Sequence, residues 1–200
     1  MKANEMKNST NSNSMHKNQN GQFVNLDTLI NRIKTEDEKN LRMSKSFLWI
    51  YIILVAVYLF LIIVNPDPDI SLIRRLSGLF YIASMAVFAL IFRKGYRVFK
   101  SIDYGLPVLE MLRSAAKRYR LSTKNYLIIA IPVILMDIGL TLSFYNNLLP
   151  LAPLNRVLII QVFYIPIMTI SGFIGYYIWR KQQKPLRDRA LELIRELEGE

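Results

Sequence analysis

The chain has 200 residues, 52% of them hydrophobic and 20% charged, with a formal net charge of +11. It contains no cysteine and one histidine, His16, which excludes disulfides, zinc sites built from histidine and cysteine, and histidine-based catalytic triads within the structured part. The apolar residues form long blocks without a strand or amphipathic-helix period, so we expect a membrane protein.

Two polar segments precede the first apolar block. Residues 1–24 are rich in Asn, Ser and Lys, and too few apolar side chains are present to offset the entropy of ordering, so a disordered tail is predicted. Residues 25–45 form an amphipathic segment that lies on the membrane, lies on the inner face of the bundle, or docks a partner. Its acidic run, 36–38, is expected to be solvated. The predicted apolar face, with Asn25 as helix cap, consists of Leu26, Leu29, Ile30 and Ile33.

Four apolar blocks are long enough, at about 1.5 Å per residue, to cross or nearly cross a hydrocarbon core of about 30 Å. A proline-containing turn joins the two blocks of each pair: NPDPDIS lies between the first and second blocks, and LPLAPLN lies between the third and fourth. The predicted fold is therefore an all-α membrane protein with four transmembrane helices in two hairpins, at residues 46–92 and 125–179. The four blocks are 46–64, 76–92, 126–145 and 157–179.

The distribution of positive charge predicts the topology. Residues 1–46 carry eight Lys or Arg, residues 93–124 carry nine and residues 180–200 carry six, whereas the two remaining loops carry three. By the positive-inside rule, both termini and the central segment are cytoplasmic, in the inner membrane of a bacterium. This topology accounts for the basic charge, and because no recognition motif accompanies it, no nucleic-acid partner is expected.

The basic linker 93–124 contains a second amphipathic helix that begins at Pro107. It is predicted to lie on the cytoplasmic leaflet and to contact anionic lipid. Its apolar face consists of Val108, Met111, Leu112, Ala115 and Tyr119, and its basic residues are Arg113, Lys117, Arg118 and Arg120.

Residues 180–200 predict a third amphipathic helix after Pro185, suited to a membrane surface or to another subunit. We expect an ion pair between Glu192 and Arg195 on it. Its apolar face consists of Leu186, Ala190, Leu193 and Leu197.

Two short matches suggest an internal duplication. FYIASM at 80–85 matches FYIPIM at 163–168, and LEMLR at 109–113 matches LELIR at 191–195, with almost equal offsets. Such matches also arise by chance in apolar sequence. If real, they indicate a parallel repeat of two spans and one amphipathic helix.

Asp137 is an acid within an apolar span, about 18 Å along the helix from Asn125 and hence near the bilayer midplane. One interpretation is a relay for protons or cations; the other is a hydrogen bond across the bundle, to Tyr58, Thr169 or the carbonyl of Val162. The candidate polar layer at this depth comprises Asp137, Thr141, Tyr58, Ser84 and Thr169.

Helix packing is predicted at four further positions within the spans. Pro132 and Pro166 are expected to kink their helices, and the pair Ser171 and Gly175 would let another helix approach closely.

No constellation of acid, base and nucleophile and no glycine-rich phosphate loop is present, so neither an enzyme nor a cofactor is expected. The preferred hypothesis is a membrane scaffold or adaptor, because so much of the chain is cytoplasmic amphipathic surface. The alternative is a small proton- or cation-coupled transporter or channel that uses Asp137. The expected partners are the lipid bilayer, anionic lipid at the cytoplasmic leaflet, and either a second copy of the chain or another membrane or cytoplasmic protein.

Overall fold

The protein is all-helical in the part of the chain that the structure, a computed structural model, describes. The backbone is described for residues 2–64, 72–121, 123–145 and 152–199, and side chains for residues 26–62, 72–121, 127–145 and 152–199. The helices are α1 (Lys2–Val64), α2 (Leu72–Lys100), α3 (Val108–Arg118), α4 (Thr123–Tyr145), α5 (Pro153–Ile178) and α6 (Lys184–Glu198), with a π-helical turn, Trp179–Gln183, between α5 and α6.

The four predicted membrane spans are confirmed as helices long and apolar enough to cross a membrane. Large apolar side chains on them face outward; Phe60 is 63% exposed and Phe163 67% exposed. So much exposed apolar surface is expected where lipid is the solvent. The four stretches are Leu26–Ile62, Leu72–Lys100, Leu127–Tyr145 and Pro153–Glu198.

The first helix is longer than the sequence predicts. Its backbone is helical from Lys2, whereas residues 1–24 were expected to be disordered and residues 25–45 to form a separate short helix. The first proline is Pro66, so no residue before it locks the backbone out of helical geometry. The amphipathic segment therefore continues directly into the first span, and Asn25 lies within the helix and not at its cap. The side chains of residues 1–25 lie outside the described part.

Helices α1 and α2 pack antiparallel through aromatic rings. The rings of Phe47 and Phe92 stack with centroids 5.0 Å apart near one end, and Tyr58 meets Tyr81 edge to face at 5.9 Å nearer the other end. Such ring pairs add about 0.5–1.5 kcal/mol beyond the area they bury.

Helix α2 also packs against α4, and α4 packs against α5. Gly139 of α4 allows this close approach, because a Cβ there would lie 3.0 Å from the Tyr81 ring and 3.2 Å from the Ser77 carbonyl oxygen. In contrast, nearly all residues of the second half of α5, 165–178, are exposed. The bundle is thus compact around α2 and open around the end of α5.

Helices α3 and α6 pack on the first part of α1 and form a small apolar core, which we call the platform. Residues 26–44, α3 and α6 all lie beyond the same end of the spans. We call this end of the bundle the basic end. The buried core residues are Leu29, Ile33, Met111, Leu112, Ala115, Ala116, Tyr119, Ala190 and Ile194.

The predicted apolar face of α3 is largely correct, but it packs within the chain. Met111, Leu112, Ala115 and Tyr119 are all buried in the platform, while Val108 at the first turn is 38% exposed. The expectation that this face lies on a lipid leaflet is therefore wrong, because α1 and α6 already cover it.

The predicted face of α6 is partly correct. Ala190 is fully buried, whereas Leu197 is 58% exposed because the buried core reaches along α6 only as far as Ile194. The expected pair of Glu192 with Arg195 is replaced by one of Glu192 with Arg189, at 3.3 Å. That acid has a basic residue three positions away on either side, and the partner in the preceding turn is used.

The direction of α3 relative to α6 bears on the proposed duplication. Arg113 near the start of α3 pairs with Glu198 at the end of α6, and Tyr119 at the end of α3 accepts a hydrogen bond from Trp179 just before α6. The two helices thus run in opposite directions. A two-fold axis along the membrane normal reverses the in-plane component of a helix and keeps the component along the normal, so this arrangement does not decide for or against a repeat. This helix pair lends the duplication no support.

Candidate functional site

The intramembrane acid Asp137 is hydrogen-bonded to α5. Gln161 donates from Nε2 to Oδ1 of Asp137 at 2.7 Å and lies 3.4 Å from the hydroxyl of Thr141. Antiparallel packing of α4 and α5 brings these side chains together. The sequence pointed to the carbonyl of Val162 as a partner. Gln161, one residue earlier, was missed.

The other members of the predicted polar layer do not join this cluster. Ser84, which is fully buried, donates to the carbonyl of Pro132 at 2.8 Å and so links α2 to α4. Thr169 is exposed and donates to the Ile165 carbonyl of its own helix. Tyr58 contacts the Tyr81 ring. With the cluster of Asp137 and Thr141, the layer therefore consists of four separate interhelical or local contacts and not of one chain of polar groups.

The predicted helix-packing positions fall into two groups. Pro132 is buried at the contact of α4 with α2, where Ser84 bonds its carbonyl. Pro166 and Ser171 are exposed on α5, and a Cβ at Gly175 would meet nothing within 4 Å. Ser171 donates to the carbonyl of Ile167 in its own helix. The Ser171 and Gly175 pair thus packs against no helix in the described part of this chain.

A second polar cluster lies in the platform, centred on Asp37. Its carboxylate is 1% exposed and accepts from Arg118 at 2.8 Å, from the Tyr119 hydroxyl at 2.7 Å and from the Tyr104 hydroxyl at 3.1 Å. The expectation that the acidic run 36–38 is solvated is wrong for Asp37. This residue shares a helical face with Ile33, which is itself fully buried.

The tyrosines of this cluster are held in their neutral form. Burial, together with the charge of Asp37 and the hydrogen bond to it, raises the pKa of Tyr104 to about 12. Burial and the hydrogen bond to Asp37 also raise the pKa of Tyr119 above its ordinary value. A phenol that donates to a carboxylate resists ionisation, since a second negative charge there would be repelled. The cluster therefore acts as a fixed connection between α1, the 101–107 loop and α3.

The basic residues predicted to contact anionic lipid have three different environments. Arg118 points inward and is paired with Asp37, so its side chain is only 10% exposed. Arg113 pairs with Glu198 of α6. Lys117 on α3 and Arg120 just after it are exposed. Of the four, Arg118 thus lies in the interior of the platform, where it does not reach lipid.

A groove separates the first part of α1 from α6, and we call it the α1–α6 groove. It consists of two adjoining depressions of about 300 Å³ and 530 Å³ that share Thr28 and Arg32. Leucines form its floor and charges of both signs form its walls. The remaining lining residues are Leu29, Asn31, Thr35, Glu36, Lys181, Gln182, Pro185, Leu186, Arg189, Glu192, Leu193 and Glu196.

No known protein family, curated protein or solved structure matches this chain.

Proposed function

We propose that the protein is a non-enzymatic membrane scaffold whose platform docks a protein partner in the α1–α6 groove. The observation that carries this proposal is that the platform is a packed unit connected along the chain to all four span helices, with an open amphipathic groove along one side. Three amphipathic segments are used to build it, and α1 and α6 continue into their spans without a break.

The lining of the groove indicates the chemistry of the partner. Leu29 and Leu193 provide apolar lining, Arg32 of α1 provides a positive charge, and α6 provides Glu196 and the ion pair of Arg189 with Glu192. A groove of this kind suits an amphipathic helix, whose apolar side chains at i, i+3 and i+4 fill the floor while its polar edges meet the charged walls. We propose such a helix of another protein as the partner.

The proposed topology places the platform in the cytosol. The clustering of Lys and Arg at the basic end supports this orientation by the positive-inside rule, with the spans paired as two hairpins in a bacterial inner membrane. A cytoplasmic platform would be open to soluble as well as membrane-bound partners.

Site-specific photo-crosslinking in membranes tests the docking. A photoreactive amino acid at Arg32 or Arg189, on opposite walls of the groove, should capture the same discrete protein. The matched control is position Arg42, which is exposed on α1 outside the groove. The charge-reversed variant R32E/R189E should lose the adduct formed from position Thr28.

Point substitutions are preferable to deletions in this experiment. Removing residues 25–34 or 185–200 would remove Leu29 and Ile33, or Ala190 and Ile194, from the platform core, and partner loss would then report unfolding. Absence of a discrete adduct at both groove positions, or the same adduct at Arg42, would contradict the docking proposal.

Transport through Asp137 is the second candidate, motivated by an acid inside a span. The hydrogen bond from Gln161 supports the structural role over a relay, because the carboxylate already has a partner within the bundle. Proton or cation flux can be measured in proteoliposomes. Flux that is present for the native chain and lost in Asp137→Asn would favour transport over the structural role.

A further inference from the structure

A groove lined by four basic side chains lies between α3 and α6, and we call it the basic groove. Arg113 and Lys117 lie four residues apart on one face of α3, Arg120 follows the end of that helix, and Arg187 comes from α6. Its volume is about 440 Å³. It lies on the α3 side of α6 and so does not overlap the α1–α6 groove. Its apolar lining consists of Ala116, Leu191 and Ile194.

Only part of this positive charge is neutralised within the chain. Arg113 pairs with Glu198, and Arg187 pairs with its neighbour Asp188 at 2.6 Å. Lys117 and Arg120 are exposed and form no ion pair with any acid in the described part of the chain. The groove therefore retains two cationic groups without an acidic partner, Lys117 and Arg120, and also contains the paired residues Arg113 and Arg187.

One end of the groove lies beside Trp179, at the end of the last span helix. The guanidinium of Arg187 sits over the ring of Trp179, 5.7 Å from its centroid, and Trp179 directly follows the last span helix, α5. Arg120 directly follows Tyr119, whose carbonyl accepts a hydrogen bond from Trp179 at 3.0 Å. Tryptophan at the end of a span lies at the level of the lipid headgroups, so Arg187 and Arg120 lie at that level as well.

We propose that the basic groove binds the phosphate of an anionic phospholipid headgroup. Its cationic walls match the headgroup charge, its membrane end opens at headgroup depth, and its apolar floor can contact the glycerol and upper acyl region. Arginine forks and a lysine ammonium are the usual ligands of phosphate oxygens. The same chemistry would accept a soluble phosphate, but the position at the membrane surface and the apolar floor favour the lipid.

The site goes beyond the proposed docking function and is independent of it. Headgroup binding would fix α3 and α6 relative to the bilayer, whether or not a protein occupies the other groove. It also differs from the sequence-based expectation, since Arg118 is buried against Asp37 and takes no part, while Arg187 of α6 does.

The test is lipid selectivity of the full-length protein. The purified chain is equilibrated in mixed micelles of equal phosphatidylglycerol and phosphatidylcholine, and the bound lipids are counted by native mass spectrometry. The variant K117Q/R120Q removes the two unpaired cations. K94Q/R97Q removes one Lys and one Arg that are also exposed, at the end of α2, and serves as a control of equal charge.

The native chain and K94Q/R97Q should prefer phosphatidylglycerol, and K117Q/R120Q should lose about tenfold or more of that preference. K117R/R120K keeps both charges and should retain it, which separates loss of charge from misfolding. Equal losses in the two Gln variants would mean general surface attraction without a site. An unchanged preference in K117Q/R120Q would also overturn the proposal, and so would tighter binding of inorganic phosphate than of phosphatidylglycerol at equal concentration.

Discussion

Asp37 and Arg118, 81 residues apart in the sequence, form a buried ion pair at 2.8 Å that joins the first part of α1 to the end of α3. The Tyr119 and Tyr104 hydroxyls donate to the same carboxylate. Asp37 is 1% exposed and the Arg118 side chain 10% exposed, so each charge is stabilised mainly by the other and little by water. The pair therefore fixes how the platform is assembled on the spans.

Removing one partner of this pair should destabilise the platform strongly. Asp37→Asn leaves the Arg118 guanidinium buried without a counter-charge, for which a cost of about 3–5 kcal/mol is expected. Unfolding of the purified protein, followed by fluorescence of Trp179 in a Trp49→Phe background, measures it. Glu38→Gln, which removes an exposed acid paired with Arg42 at 3.7 Å, is the control and should change stability by less than about 1 kcal/mol.

The double variant D37L/R118M refines this prediction. It removes both charges, so it should be less destabilised than Asp37→Asn alone. Equal or greater destabilisation of the double variant would mean that shape and hydrogen bonding, and not the unpaired charge, dominate the effect.

Alkaline pH should unfold the platform through its tyrosines. In the unfolded chain Tyr104 ionises near its ordinary pKa of 10.0, whereas in the folded chain its pKa is raised to about 12, and that of Tyr119 is raised as well. A raised folded-state pKa means that the stabilisation is complete below the unfolded pKa and is lost as the pH rises through the folded one. Stability should thus be constant up to about pH 10 and fall above it.

A spectroscopic pH titration checks that stability falls as the pH rises. Trp179 fluorescence in the Trp49→Phe background should change in the same range in which tyrosinate absorbance appears. Tyr104→Phe in that background should make the loss less steep, since one titrating group is gone. Unfolding of the platform well below pH 10 would be inconsistent with the buried phenols, and so would a pH dependence that is unchanged in Tyr104→Phe.

The close approach of α2 and α4 depends on Gly139. A Cβ there would lie 3.0 Å from the Tyr81 ring and 3.2 Å from the backbone oxygen of Ser77, which cannot move independently. Gly139→Ala should therefore cost about 1–3 kcal/mol in detergent unfolding. Gly172→Ala is the matched control, because a Cβ at Gly172 meets nothing within 4 Å. Equal stability of the two variants would show that the contact is not tight.

The contact of Gln161 with Asp137 predicts unequal effects of two substitutions. Gln161→Leu removes the donor and should destabilise the packing of α4 on α5 by about 1 kcal/mol. Asp137→Asn keeps an oxygen that can accept the same hydrogen bond, so its effect should be smaller. If Asp137→Asn proves the more damaging in detergent unfolding, the carboxylate has a role beyond this bond.

Sequence reasoning recovered features that depend on local pattern. The spans follow from the length of apolar blocks, and the buried face of α3, including Leu112 and Ala115, follows from helical spacing. Asp37 was misread because its neighbours, Glu36 and Glu38, resemble solvated surface. Its partner Arg118 lies in another helix and was itself read as a lipid contact.

The grooves could not be predicted for a related reason. The α1–α6 groove and the basic groove each combine side chains from helices far apart in the sequence, such as Arg120 with Arg187. Periodicity indicates which face of a helix is apolar but not which neighbour covers it. For α3, the sequence pointed to a lipid leaflet, whereas α1 and α6 cover that face.

The central proposal, a platform in the cytosol above four membrane spans, is tested most directly by labelling single cysteines, since the native chain has none. Ser114→Cys places a thiol on the exposed side of α3, and Ala152→Cys places one just before α5 at the opposite end. A membrane-impermeant maleimide should label position 152 in intact cells and position 114 only after the membrane is disrupted. Labelling of position 114 in intact cells would contradict a cytoplasmic platform.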